Sequence, residues 1–218
     1  MIKSVQTSAA IGLSFILSSC SNQRTESSQS VPAADVNPNP PSAASGSHAV
    51  VGKALAAVNG VPAIVLLEPQ PPRELPPQTK EPVMDQISLT FIPGLLFVRT
   101  GQPTEFRNSD ETLHNINVKE DATKEQAFNI AIPTGATYNH TFKRDGFYTV
   151  VCDIHPAMAA TIISISTPYA TVADVKGNFA FGDVAPGSYA ATVYAGNRRL
   201  TRLIDVAGPR TEVNIDGS

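Results

Sequence analysis

The feature that most constrains the fold is the frequency with which proline and glycine interrupt the apolar runs. The chain of 218 residues contains 18 prolines and 14 glycines. The runs between them are short and alternate apolar with polar residues, as in "DQISLTF" (85–91). A period of two is typical of half-buried strands, whereas proline and glycine weaken helices. We therefore predict an all-β chain of the sandwich class.

The first twenty residues have the pattern of an export signal. Lys3 precedes the apolar run "AAIGLSFIL" (9–17), which is too short to remain as a membrane-spanning helix. The following "LSSC" resembles the lipobox of bacterial lipoproteins, which implies that residues 1–20 are the signal region and that Cys20 is lipidated. Ser21 resembles the sorting signal that favours the outer membrane. The implied location is the periplasm, with the chain anchored by lipid; the alternative is a plain secretory signal with a chance cysteine.

Three segments lead from this signal to the main body of the chain. Residues 21–47 contain almost no large apolar side chain and are predicted to be a disordered tether. Residues 48–69 predict two strands around Asn59-Gly60, which is a strong hairpin signal. Residues 70–83 follow as a proline-rich connector, predicted to be extended.

The rest of the chain is predicted to consist of strands. Residues 84–166 alternate as expected for a sandwich of seven or eight strands. Within them, residues 85–110 predict three strands, and the pattern of residues 119–133 does not decide between helix and loop. Residues 167–218 predict short strands separated by glycine turns.

One cysteine lies in a motif with two other metal-binding side chains. "CDIHPAM" (152–158) spaces Cys152, His155 and Met158 three residues apart. An unpaired thiol is a liability in an oxidising compartment, and Cys20 is the only other cysteine. A site with two histidines, one thiolate and a weak thioether suits copper, whereas zinc gains little from a thioether. The alternative is a buried structural cysteine, which would not require the other two residues.

The second imidazole of such a site must come from another part of the chain. Of the remaining histidines, His48 borders the predicted tether and His140 lies on an alternating strand. His114 precedes a β pattern in "LHNINV" (113–118) and is the best candidate.

Two segments of the chain resemble the ligand segments of the cupredoxins, the blue-copper proteins. They are "FRNSDETLHNINV" (106–118) and "GFYTVVCDIHPAM" (146–158), and the short second loop is similar to that of amicyanin. The resemblance covers about residues 84–166 and implies a Greek-key β-sandwich. It implies one type 1 copper ion with the ligands His114, Cys152, His155 and Met158. It also implies that Asn115 braces the two ligand segments near the sulfur.

The flanking segments resemble a second family. "DVKGNFAFGDVAPGSY" (174–189) is similar to carboxypeptidase regulatory-like domains, which are prealbumin-like β-sandwiches. The first strands of such domains match residues 49–68 better than any segment after residue 167. We therefore predict a discontinuous domain of residues 48–69 and 167–218, with the copper domain inserted. The order of the two units also resembles methylamine-utilisation-like bacterial proteins.

These features predict an electron carrier rather than an enzyme. The chain has no H-E-x-x-H or G-x-S-x-G motif, so no peptidase or esterase is expected. The net charge of −3 argues against nucleic-acid binding. Expected partners are periplasmic redox proteins, which would dock on an apolar patch formed by Pro156, Ala157, Ala159, Ala160 and residues 91–97. The alternative is that Leu95, Leu96 and Phe97 belong to the core, which we expect for Phe97. The alternatives are a copper carrier or sensor without electron transfer, and a cell-envelope interaction module.

Overall fold

The computed structural model describes residues 36–37 and 48–217, which form β-strands without any α-helix. None of these residues belongs to a helix long and apolar enough to cross a membrane. The predicted all-β class is confirmed. The predicted signal region with Cys20 and most of the predicted tether lie outside the described residues.

Seventeen strands follow one another along the described residues. Their bounds are β1 (Val36–Asn37), β2 (Ala49–Ala54), β3 (Ile64–Pro69), β4 (Val83–Ile87), β5 (Thr90–Ile92), β6 (Leu95–Arg99), β7 (Pro103–Asn108), β8 (His114–Glu120), β9 (Gln126–Ile132), β10 (Thr137–Thr141), β11 (Gly146–Val151), β12 (Ala159–Ile165), β13 (Ala170–Val172), β14 (Asn178–Phe181), β15 (Gly187–Ala195), β16 (Arg198–Val206) and β17 (Arg210–Ile215).

The first sandwich consists of a six-stranded sheet, in the order β1-β6-β12-β11-β8-β9, and a four-stranded sheet, in the order β10-β7-β4-β5. Alternate residues of each strand fill the space between the sheets: Tyr148 and Val150 of β11 are buried, whereas Thr149 between them is exposed. They join an apolar core with Phe106 and Ile116. This core surrounds the end of β11, where Cys152 follows.

The strands of the first sandwich differ from the prediction in two places. Residues 85–110 were predicted to form three strands, but four strands lie between Val83 and Asn108. The additional turn occurs at Ser88 and Leu89, whose φ angles of 53° and 57° are unusual for residues other than glycine and could not be predicted from the alternating pattern. Residues 119–133 contain β9, which pairs antiparallel with β8.

The second sandwich consists of sheets in the orders β13-β3-β15-β16 and β14-β2-β17. Asn59 and Gly60 form the predicted turn, with φ angles of 51° and 79°, and it closes a bridge between Val58 and Val61. The flanking strands do not form the predicted hairpin, because β2 and β3 belong to different sheets. β2 pairs with β14 and β17, and β3 pairs with β13 and β15. A single domain made of residues 48–69 and 167–218 requires strands of these two segments to pair with each other.

A third apolar cluster joins the two sandwiches. It contains Leu66 of β3 from the second sandwich and Phe97 and Ile163 of the first. The rings of Phe147 and Tyr194 meet edge to face at its border, with centroids 5.1 Å apart. β3, β6 and β12 therefore have buried residues on both of their faces.

Candidate metal centre

Strand register brings the two ligand segments together. β8 and β11 are antiparallel neighbours, with Val151 opposite Asn117. His114 is the first residue of β8, and Cys152 follows the last residue of β11. The start of one antiparallel strand lies beside the end of its neighbour, so the sheet places these two side chains at the same edge.

Three of the four predicted ligands converge at this edge. The Nδ1 atoms of His114 and His155 are 2.9 Å apart, and the Sγ atom of Cys152 lies 4.0 Å and 3.8 Å from them. All three ligand atoms lie within 4.8 Å of one another. His114 is fully buried and Cys152 is 2% exposed, whereas His155 is partly exposed. The site therefore opens to solvent on the side of His155.

Met158 lies at the end of the loop that also carries Cys152 and His155. The backbone N–H of Met158 donates to the carbonyl of His155 at 2.9 Å, and that of Cys152 donates to the carbonyl of Met158 at 3.2 Å. The Met158 side chain is 1% exposed and belongs to the same apolar core as Cys152. The loop thus brings the backbone of Met158 next to that of Cys152. The role of Met158 as an axial ligand stays a prediction.

A carboxylate fixes the protonation of His114. The Nε2 atom of His114 is 2.8 Å from Oδ2 of Asp110. An ionised carboxylate only accepts hydrogen bonds, so Nε2 carries the proton and the lone pair of Nδ1 faces the site. A hydrogen bond from the backbone N–H of Leu89 lowers the pKa of Asp110 and keeps it ionised. Asp110 lies four residues before His114, in the segment that resembles the cupredoxins, but its contact with His114 was not predicted.

The side chain of Asn115 contacts both ligand segments. Its Oδ1 atom accepts from the backbone N–H of Asp153 at 2.7 Å and lies 3.4 Å from the sulfur of Cys152. Its amide nitrogen donates to the Asp153 carboxylate at 2.8 Å. Sequence reasoning missed Asp153, since a polar residue after a cysteine carries no signal of its own.

Two other predictions concern residues near the site. His140 is not part of it: its ring packs on Phe128 with centroids 4.4 Å apart, and burial lowers its pKa. The predicted patch from residues 91–97 is largely wrong, because Phe91 is 1% exposed and belongs to the core of the first sandwich. Of the large apolar side chains in that segment only Ile92 is exposed, at 38%.

The donor set fits a copper ion. In a trigonal site with bonds of about 2.0 Å to nitrogen and about 2.3 Å to sulfur, the sulfur would lie about 3.7 Å from each nitrogen, and the nitrogens about 3.5 Å from each other. The observed sulfur–nitrogen separations of 3.8 Å and 4.0 Å are close to that geometry, whereas the two Nδ1 atoms are closer together, at 2.9 Å. Two imidazoles and a thiolate, with a thioether in the same loop, are the set that selects copper over calcium, magnesium or manganese.

Comparison with known proteins points to the same metal. Residues 79–164 match the model of the copper binding proteins, plastocyanin/azurin family. No curated protein matches the chain in sequence.

Three of the solved structures similar to this chain illustrate the likeness. They are the copper-containing nitrite reductase from Thermus scotoductus SA-01 (24% identity, 40% of this chain, 23% of that chain, TM-score 0.37), the purple cupredoxin from Nitrosopumilus maritimus (21%, 39%, 100%, 0.35) and amicyanin from Paracoccus versutus (17%, 47%, 97%, 0.36). The match spans about a quarter of the reductase chain. The match to the plastocyanin/azurin family and the converging donors of His114, Cys152 and His155 assign one type 1 copper ion to residues 79–164 as their cofactor.

Proposed function

We propose that the protein is a one-electron carrier whose redox centre is a type 1 copper ion. The observation that carries this proposal is the convergence of three donor atoms, Nδ1 of His114, Nδ1 of His155 and Sγ of Cys152, at one buried edge of the sheet. Met158 would add the weak axial ligand. Bound copper would supply reversible one-electron exchange.

The role of the protein in this function is to hold the metal ligands in fixed positions. His114 is fixed by Asp110, and the Cys152 loop is fixed by Asn115 and by its own backbone hydrogen bonds. Ligands that cannot move keep nearly the same positions whichever oxidation state is bound, so little reorganisation accompanies each transfer. Hydrogen bonds and low solvent access around the ligands also tune the potential.

The exposed side of the site supports contact with a redox partner. Leu113 and Ile154, which neighbour the two histidine ligands in sequence, are each 47% exposed, and Pro156 and Ala157 are exposed as well. Pro156 and Ala157 were part of the predicted patch, whereas Leu113 and Ile154 take the place of residues 91–97 in it. A small apolar surface suits weak, transient docking, and we propose periplasmic redox proteins as the partners.

An optical and EPR titration of the full chain with Cu(II) tests the proposal. We expect an intense blue band and a narrow copper hyperfine splitting in the wild type and in Cys20→Ser, and neither in Cys152→Ser. The two variants remove the same atom, so the difference between them isolates the thiolate ligand. A blue band that survives in Cys152→Ser would contradict the ligand assignment.

A second candidate is a copper carrier that hands its metal to another protein. Full burial of His114 speaks against it, since release requires access to the ligands. Reversible redox cycling without metal loss to a mild Cu(I) chelator would support electron transfer, whereas ready loss would support the carrier.

We also propose that the chain is anchored to the cell envelope through Cys20. The support is the sequence "LSSC" after a short apolar run. Mass spectrometry of the protein from a bacterial membrane fraction would show diacylglycerol at Cys20 and loss of the preceding residues. Recovery of the unmodified chain in the soluble periplasmic fraction would favour the plain secretory signal.

A further inference from the structure

The carboxylate of Asp153, directly after the cysteine ligand, is surrounded by three asparagine side chains. Asn115 donates to it at 2.8 Å, Asn129 at 2.9 Å, and Asn117 at 3.0 Å and 3.2 Å. Three amides from two neighbouring strands, β8 and β9, thus hold one side chain of the copper loop.

This arrangement also determines how Asn115 is oriented. The carboxylate only accepts hydrogen bonds, so the NH₂ group of Asn115 must face it. The backbone N–H of Asp153 only donates, so it requires the oxygen of Asn115 at its other contact, 2.7 Å away. Asp153 therefore contacts both ends of the Asn115 amide, whose nitrogen also donates to the side-chain oxygen of Asn129 at 2.8 Å. The oxygen of the Asn115 amide lies 3.4 Å from the sulfur of Cys152.

The position of the carboxylate has an electrostatic consequence. The amide of Asn115 contacts both the Asp153 carboxylate and the cysteine sulfur. Lys119 is the cation that influences Asp153, and Asp153 makes no salt bridge within the described residues. A negative charge so close to a metal favours the more highly charged oxidation state, although solvent at the exposed side of Asp153 weakens the effect.

We propose that Asp153 is a positioning residue that fastens the Cys152–Met158 loop to β8 and β9 through the three asparagines and that biases the centre toward Cu(II). This inference rests on the proposed copper function for its second part only. The first part concerns the protein without metal and stands on the hydrogen bonds alone.

Hydrogen exchange of the metal-free full chain tests the first part. The reporter is the backbone amide of residue 153, compared with the intrinsic exchange rate of each sequence. We expect this amide to exchange about tenfold faster in Asn129→Ala and in Asp153→Asn, because each change weakens a hydrogen bond to a charged group. Asn139→Ala, at an exposed asparagine of β10, is the matched control and should leave the rate unchanged.

The reduction potential of the copper form tests the second part, which a merely structural role would not affect. We expect Asp153→Asn to raise the potential, because the variant loses a negative charge beside the metal. Asp183→Asn makes the same charge change in the second sandwich and should shift the potential less. The proposal would be overturned if residue 153 exchanged at the wild-type rate in both Asn129→Ala and Asp153→Asn. It would also be overturned if Asp153→Asn and Asp183→Asn shifted the reduction potential equally. Failure of the wild type to form a blue site would count against the proposed function instead, and the exchange data would still decide whether Asp153 fastens the loop.

Discussion

The carboxylate of Asp110 joins two parts of the first sandwich at the metal centre. One oxygen accepts from the backbone of Ser88 at 2.5 Å, and the other accepts from the backbone of Leu89 at 2.9 Å and from His114 at 2.8 Å. The turn between β4 and β5 thus holds the carboxylate that orients the buried ligand His114. A partner of this kind orients the imidazole and increases its basicity.

We expect Asp110→Ala to weaken Cu(II) binding by about 10- to 100-fold, which is the usual cost of removing such a partner. The reason is that the variant leaves the His114 tautomer free, so part of the population carries its proton on Nδ1. Competition with a chelator of known affinity measures the effect. Glu111→Ala removes the neighbouring carboxylate and should leave the affinity unchanged; equal losses in both variants would mean that only net charge matters.

At the scale of strands, the sequence predicted those elements whose signal is local. The alternation of residues 146–152 predicts β11 and its inward face, and the Asn59-Gly60 turn occurs where the pair predicts it. The partners of β2 and β3 were not predicted from that turn, because sheet membership depends on strands more than a hundred residues later in the chain. Only the resemblance of residues 49–68 and 174–189 to one domain family indicated contacts between these distant segments.

The same distinction applies to the candidate site. The soft ligands at 152, 155 and 158 form a local motif, and only the resemblance to a known family connected His114 with them. Asp110 and Asp153 gain their roles from hydrogen bonds across strands, and nothing in their own residue type or spacing distinguishes them from other surface carboxylates.

Gly52 shows how strictly one element depends on a remote one. β2 and β17 run parallel, with Gly52 opposite Val213. A Cβ atom at Gly52 would lie 1.7 Å from the carbonyl oxygen of Val213. No side chain can relieve such a contact with backbone, so β2 would have to separate from β17.

We therefore expect Gly52→Ala to lower the free energy of unfolding by at least about 3 kcal/mol, at the upper end of the cost of overpacking. Urea denaturation followed by circular dichroism measures this loss. Gly182→Ala is the control, because a Cβ atom at Gly182 would meet nothing within 4 Å. A loss of stability equal to that of the control would show that β2 and β17 are not paired as described.

At the scale of the whole molecule, the two sandwiches are connected by more than the chain. β12 places Ile162 and Ile163 on opposite faces, and both are fully buried. Ile162 belongs to the core of the first sandwich, whereas Ile163 belongs to the cluster shared with the second. β3 does the same in the second sandwich, where Val65 and Leu67 face its own core and Leu66 faces the shared cluster. Continuous burial of both strand faces makes the two units depend on each other.

We expect the two sandwiches of the wild type to unfold together and those of Ile163→Ala to unfold separately. The substitution should lower the free energy of unfolding by about 2–5 kcal/mol, as other truncations of buried isoleucine do. The contacts that it removes are those of the shared cluster. Pulsed hydrogen exchange in increasing urea reports each unit through its own core strand, β8 for the first and β15 for the second. The metal-free chain suffices, so the result does not depend on the proposed function.

Ile162→Ala provides the matched control, since it removes the same atoms one residue away. It should lower a single shared midpoint, because the contacts between the sandwiches are intact while the first core is weakened. Separate midpoints in the wild type would show that the shared cluster does not couple the units. A common midpoint in Ile163→Ala would mean that other contacts are enough to couple them, such as the ring contact between Phe147 and Tyr194.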